Sequence, residues 1–182
     1  MSETKFLNKT LDDKGGPTQP LLIVRDLKKF FPVRGGIFGG KKAMVQAVDG
    51  ISFEVKKGET LGIVGESGCG KSTTARLLIG LIEKDKGEII FDGQDLGGAL
   101  PLHELRRGVQ MVFQDSYASL NPRLTIEASI AFGARVQGLS DPVGRARKLM
   151  ERVGLAPDRF AQRYPHEVSG GQRQRINIAR AL

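Results

Sequence analysis

The segment Gly65-Glu66-Ser67-Gly68-Cys69-Gly70-Lys71-Ser72-Thr73 holds the residues best suited to chemistry. Glycines at 65, 68 and 70 let the backbone curl until successive N–H groups face inward. Such a ring of donors, backed by a helix N-terminus, suits phosphate oxygens. Lys71 can reach the outer phosphates as a point charge, and the Ser72 hydroxyl is placed to ligate Mg2+. Glu66 lies inside the loop, where it supplies backbone rather than a general base. Cys69 reads as a small residue in a variable slot. The alternative is a thiol made reactive by the helix N-terminus and Lys71. A plain glycine-rich turn is the competing account, and the complete pattern with its flanks argues against it.

The flanks are a strand before the loop and a helix after it, the context of a P-loop. Thr60–Val64 reads as the strand, entered through a turn at Lys57-Gly58. Ala75, Leu78, Ile79 and Ile82 recur at helical spacing, so the helix packs one stripe on a sheet and ends at Lys86-Gly87. Leu21–Leu27 predicts a first strand, followed by Phe30 and Phe31. Arg34 to Lys42 is a glycine-rich, basic excursion that reads as a solvated hairpin tip. Ile51, Phe53 and Val55 alternate with Ser52 and Glu54, the period of a half-buried strand. Glu88–Phe91 is a short strand closed by the hairpin signal Asp92-Gly93. The apolar run Val109–Phe113 predicts a further buried strand. Beyond Asp115 the pattern turns helical, with Thr125–Gln137 and Val143–Val153 as helices. Asn121-Pro122 marks a turn and Tyr164-Pro165 a break. Ser169 then caps a last helix, with Ile178 and Leu182 on one face.

The chain has 182 residues, 40% of them hydrophobic, which suffices for a core. One cysteine excludes an intrachain disulfide and a cysteine metal cluster. No apolar run approaches the ~18 residues of a membrane span. Residues 1–20 are polar, lack the apolar segment of a secretory signal, and read as a loose tail. The net charge of +8 is scattered and not interleaved with aromatics, so no nucleic-acid partner is expected.

A second constellation is harder to explain as fold. In Ser169-Gly170-Gly171-Gln172, two glycines open a helix, where they cost entropy and add no packing. They make sense where a ligand approaches the backbone closely. The Ser169 hydroxyl and the first-turn N–H groups suit an anion. Beside a P-loop, that reading outweighs an ordinary serine cap.

The P-loop, Gln114 in Val112-Phe113-Gln114-Asp115, and Val168-Ser169-Gly170-Gly171-Gln172 together resemble the ATP-binding subunit of ABC transporters. The resemblance runs from about Leu21 to Leu182. It implies an α/β P-loop NTPase core with an antiparallel β subdomain and a helical subdomain. The expected parts are core and β subdomain over 21–114, helical subdomain over 115–168, and signature helix over 169–182. It also implies ATP and Mg2+ as ligands, with Ser72 and Gln114 at the metal or its water. Ser169, Gly170, Gly171 and Gln172 would act in trans on the γ-phosphate of ATP held by a second subunit, identical or paralogous. Phe31 matches the aromatic that stacks on adenine, with Phe30 as fallback and a core aromatic as the rival account. The segment after Gln114 would face two membrane permease subunits, which a solute-binding protein serves indirectly. The expected location is the cytoplasmic face of the inner membrane, as a peripheral subunit.

The wording of Phe113–Arg123 and Arg163–Arg175 resembles the oligopeptide and dipeptide import branch. Phe31-Pro32-Val33-Arg34-Gly35-Gly36 and Gly70-Lys71-Ser72-Thr73 resemble the second ATPase subunit of such a system. Peptide, nickel, glutathione and opine cargoes stay open. His103 and His166 receive no catalytic role. The family's Walker B aspartate, water-polarising glutamate and switch histidine would follow Leu182, so the chain is expected to be a C-terminally incomplete piece with negligible turnover. The rival readings are a soluble ABC ATPase acting on ribosomes or DNA, a non-catalytic nucleotide-binding module, and an unrelated P-loop kinase.

Overall fold

The computed structural model describes residues 19–32 and 44–182. The excursion at Arg34 to Lys42 and most of the N-terminal tail lie outside these. The chain divides into two compact units, one up to Val109 and one from Gln110.

The first unit is built on an antiparallel sheet of order β2-β1-β3-β4. Its strands are β1 (Pro20–Pro32), β2 (Met44–Lys56), β3 (Lys86–Phe91) and β4 (Gln94–Asp95). The alternation at Ile51, Phe53 and Val55 survives as half-buried positions between exposed ones. Asp92 and Gly93 take left-handed conformations, with φ of 46° and 81°, and turn β3 tightly into β4. Against the sheet lie α1 (Lys71–Leu78) and α2 (Leu102–Gly108). Val24, Leu27, Val48, Leu77, Ile89 and Leu105 form the centre of this core. Each such fully buried side chain contributes about 1.5–3 kcal/mol.

Three expectations change here. Thr60–Val64 and Val109–Phe113 form no strand; Leu61, Ile63, Val64 and Val112 are exposed. An apolar run becomes a strand only when a neighbour supplies matching N–H and C=O groups, and among the described residues neither segment has one. The helix after the P-loop stops at Leu78, well before Lys86, and buries Thr74 and Leu77 most deeply. Gly80, at φ 62°, ends it: its N–H reaches the Leu77 carbonyl while Leu81 N–H reaches that of Arg76. This is the Schellman closure, and the same Gly-Leu pair ends two later helices, at Gly138-Leu139 and Gly154-Leu155.

The second unit is helical: α3 (Ile126–Val136), α4 (Pro142–Arg152), α5 (Pro157–Phe160), a 3-10 turn at Pro165–Glu167, and α6 (Gly170–Ala181). The Thr125 and Asp141 side chains cap α3 and α4, accepting from Ala128 and Gly144 N–H. Ile126, Ile130, Met150, Leu155, Phe160 and Ile176 pack at its centre. On α6 the buried residues are Ile176, Asn177 and Ala179, whereas Ile178 and Leu182 are exposed. The expected face exists but points outward, because the inward face is held partly by polar side chains.

Candidate functional site

Gly70 caps α1 in a left-handed conformation, φ 97° and ψ 0°. A Cβ there would come within 2.2 Å of the Ala47 carbonyl oxygen on β2. Strand packing and loop curvature therefore both demand glycine. Gly65 and Gly68 also have positive φ, of 156° and 85°. The Lys71 side chain folds back over the loop. Its Nζ donates to the carbonyls of Gly65 (2.8 Å) and Glu66 (2.6 Å) and lies 3.5 Å from Cys69 Sγ. The ammonium thus sits in the mouth of the cradle, held by two carbonyl oxygens. Glu66 contributes backbone, as expected: its carbonyl also accepts from Cys69 N–H. Thr74 Oγ1 donates to the Gly70 carbonyl and ties the loop to the helix. Ser67, Cys69 and Ser72 are exposed, and Thr73 is half-buried.

No cluster of three or more His, Cys, Asp or Glu that could hold a metal occurs among the described residues. A cation here would find the exposed Ser72 hydroxyl and the ligand's own oxygens. That donor set fits Mg2+, which keeps several waters and binds through one or two protein oxygens plus phosphate.

Phe31 is exposed, not part of the core. In the sheet register it faces Val45, and Ala47, whose carbonyl abuts Gly70, is next but one along that strand. Positions so spaced share a face and lie about 7 Å apart. The sheet therefore carries the aromatic toward the loop that it cannot reach in sequence. Phe30 is half-buried. Lys29 Nζ lies 5.5 Å from the Phe31 ring centroid. Asp85 holds that end of β1: one carboxylate oxygen accepts from Lys29 Nζ (3.0 Å), the other from Phe30 N–H (2.6 Å). The Phe30 amide, and then Lys29, hold the Asp85 carboxyl below the usual range.

In the second unit Gln114 is exposed. The loop after it is built by Asp115, whose carboxylate accepts from Tyr117 N–H (2.9 Å) and Ala118 N–H (3.0 Å). The Ala118 amide, then that of Tyr117, lowers its pKa. Three α6 side chains fasten this loop. Arg180 donates to the Ser119 carbonyl, and Asn177 Nδ2 donates to that of Ser116 (3.3 Å). Arg173 stands 5.4 Å from the Tyr117 ring and donates to the carbonyls of Val168 and Pro165. Sequence reasoning missed all three. Their spacing on one helical face was the available signal, obscured by the run of polar residues from Gln172 to Arg175.

Ser169 caps α6 through a reciprocal pair. Its hydroxyl accepts from Gln172 N–H (3.3 Å), and Gln172 Oε1 accepts from Ser169 N–H (2.8 Å). A Cβ on Gly171 would meet nothing within 4 Å, and one on Gly170 only an Arg173 nitrogen at 3.9 Å. Nothing inside the described structure requires glycine at either position.

The ABC transporter family model matches residues 48–182, which takes in the P-loop, Gln114 and the Ser169 cap. The chain belongs to the ABC transporter family. Among curated relatives of this ABC chain is the oligopeptide transport ATP-binding protein AppF of Bacillus subtilis (strain 168). It is 52% identical over 170 residues, covering 90% of this chain and 51% of the relative. The glutathione import ATP-binding protein GsiA of Escherichia coli (strain K12) is 53% identical over 169 residues, covering 90% of this chain and 27% of the relative. The chain thus spans about half the length of the first and about a quarter of the second. The dimeric structure of MJ0796, a bacterial ABC transporter cassette, superposes with a TM-score of 0.73 at 28% identity, over 88% of this chain and 68% of that one. A post-hydrolysis state of that cassette, bound to ADP and Pi, gives 0.72 at 27% identity with the same coverage. The ABC cassette is therefore the fold.

Proposed function

We propose that this ABC chain belongs to an ATP-binding subunit that energises import of peptides or related solutes through membrane partners. The observation that carries this is the open pair Gly170-Gly171 at a capped helix start, in a chain that also bears a complete P-loop. No packing among the described residues calls for those glycines, so their use lies with something that approaches from outside.

In this reading the Gly65–Gly70 amides bind phosphate oxygens. Lys71 leaves the carbonyls of Gly65 and Glu66 and turns its charge toward the β- and γ-phosphates. Ser72 ligates Mg2+, which neutralises charge on the transferring phosphoryl group. Phe31 stacks on adenine. Gln114 ligates the metal or orients water. Ser169, Gly170, Gly171 and Gln172 receive the γ-phosphate held by a second subunit. Two copies, or this chain and a paralogue, then close head to tail around nucleotide; the dimeric cassette it resembles supports such pairing. The loop after Gln114, fastened to α6, passes that motion to two permease subunits served by a solute-binding protein. The relatives named for oligopeptide transport and glutathione import support transport over action on nucleic acid. A peripheral place on the cytoplasmic membrane face follows from such partners; among the described residues no helix is long and apolar enough to span a bilayer.

The test is nucleotide-driven pairing of the subunit, read by sedimentation with Mg2+ and a hydrolysis-blocking condition. Pairing should appear only with nucleotide, disappear in Lys71→Ala, and disappear in Ser169→Arg while nucleotide binding persists. Pairing that survives Ser169→Arg would refute the reading.

A further inference from the structure

We propose that Lys29 and Asp85 are positioning residues that turn Phe31 into a one-sided stacking platform for a purine base. The inference rests on the reading of Phe31 above and adds what prepares its ring. Three observations meet at one end of β1. Lys29 Nζ lies on the Phe31 ring, 5.5 Å from its centroid. The ammonium is itself held, 3.0 Å from an Asp85 carboxylate oxygen, and its side chain is only 15% exposed. The other Asp85 oxygen takes the Phe30 N–H at 2.6 Å and so fixes the backbone that carries Phe31. Asp85 lies between α1 and β3, far from Phe31 in sequence, and its own N–H donates to the Lys28 carbonyl. Its anchoring to β1 is thus three-fold.

The chemistry follows from the ring's charge distribution. A cation on one face of an aromatic ring is attracted to its negative π-cloud. It draws electron density toward itself and lowers repulsion between the opposite face and a second π-system. The occupied face is closed to a ligand, and Phe31 remains exposed. A purine stacked there completes a cation–ring–base sandwich on a ring whose freedom is already restricted, so little order is lost on binding.

The experiment separates the base from the phosphates. Binding of ATP and of inorganic tripolyphosphate, each with Mg2+, is measured for the chain by calorimetry. Phe31→Ala should weaken ATP about tenfold, as loss of an aromatic stacking partner does, and leave tripolyphosphate unchanged. Lys29→Met should weaken ATP about threefold, again sparing tripolyphosphate, and Lys29→Arg should restore ATP binding. The double variant Lys29→Met/Asp85→Asn removes the stranded carboxylate and should still show the base-selective loss. If Phe31→Ala weakens ATP but Lys29→Met and the double variant do not, or if they weaken both ligands equally, the inference is overturned and the stacking role of Phe31 stands. If Phe31→Ala leaves ATP untouched, both fall.

Discussion

Two of the described helices have glycine at their start, one as the cap and one in the first turn, and the glycines are there for different reasons. At the start of α1, Gly70 is confined from within: its φ is 97°, and a Cβ would run into the Ala47 carbonyl. At the start of α6, Gly170 and Gly171 are ordinary helical residues with open space where a Cβ would be. The first glycine is explained by the fold. Nothing among the described residues explains the second pair, and that is the ground on which we propose a ligand there. Glycine content alone thus does not mark a site; the discriminating observation is whether the fold itself needs the missing Cβ.

Substitutions can break that contrast. Gly70→Ala should cost about 3 kcal/mol or more, combining left-handed strain with a backbone clash, and urea unfolding should show a clearly lowered midpoint. An unchanged midpoint would mean that Gly70 is as unconstrained as Gly171. Arg173→Ala comes next. It strips the carbonyls of Val168 and Pro165 of their guanidinium and frees Tyr117, at about 2 kcal/mol. Amide exchange in residues 115–120 and at Gln172 should accelerate together. Gly171→Ala has the opposite sign. It should stabilise the chain by about 0.5–1 kcal/mol, as alanine is the better helix former, and yet abolish nucleotide-driven pairing. A stabilised variant that still pairs would remove the ligand explanation of the glycines.

Acid should separate the two units more gently. The Asp115 carboxyl is depressed by two amides, so its contribution is complete above the ordinary aspartate pKa of about 3.9 and fades as pH falls through the lower folded value. Asp95 on β4 is pushed up by burial, with one oxygen buried and unpartnered. Its slope is reversed: stability is greatest below about pH 3.9 and declines as pH rises through the raised value. Asp115→Asn should lower the melting temperature at neutral pH and leave it unchanged in strong acid. Asp95→Asn should raise it at neutral pH, with no gain in strong acid. Thermal melts across pH 2–7 check both slopes.

The legible parts of the candidate site are those that local geometry alone defines. The curl of Gly65–Gly70 and the Ser169 cap depend on neighbours within a few residues, so their residue types announced them. The antiparallel strands were legible through alternation at Ile51–Val55 and the turn at Asp92-Gly93. The apolar runs at Thr60–Val64 and Val109–Phe113 misled, because hydrophobicity reports what a segment would bury and not whether a partner is beside it. Helix α1 ends at Gly80-Leu81 and not at the expected Lys86-Gly87, although that Schellman pair is itself a local signal. Asp85 and the Asn177 and Arg180 fastenings were harder to read for a stronger reason: spacing shows a shared face but not what it meets. Asp85 reaches the Phe30 N–H, and Asn177 and Arg180 reach the Ser116 and Ser119 carbonyls, across long stretches of chain, and those partners are backbone groups that any residue could supply.

By itself the sequence determined the glycine-rich loop, the two helix starts and the family, since these rest on residue types at fixed short spacing. Only the tertiary structure decided that Phe31 faces solvent beneath Lys29 rather than filling a core. Only it showed that Ala47 is what forbids a side chain at Gly70, and that the loop after Gln114 is fastened to α6. Those outcomes depend on which surfaces meet when the chain is folded, and a side chain's chemistry does not reveal its neighbour.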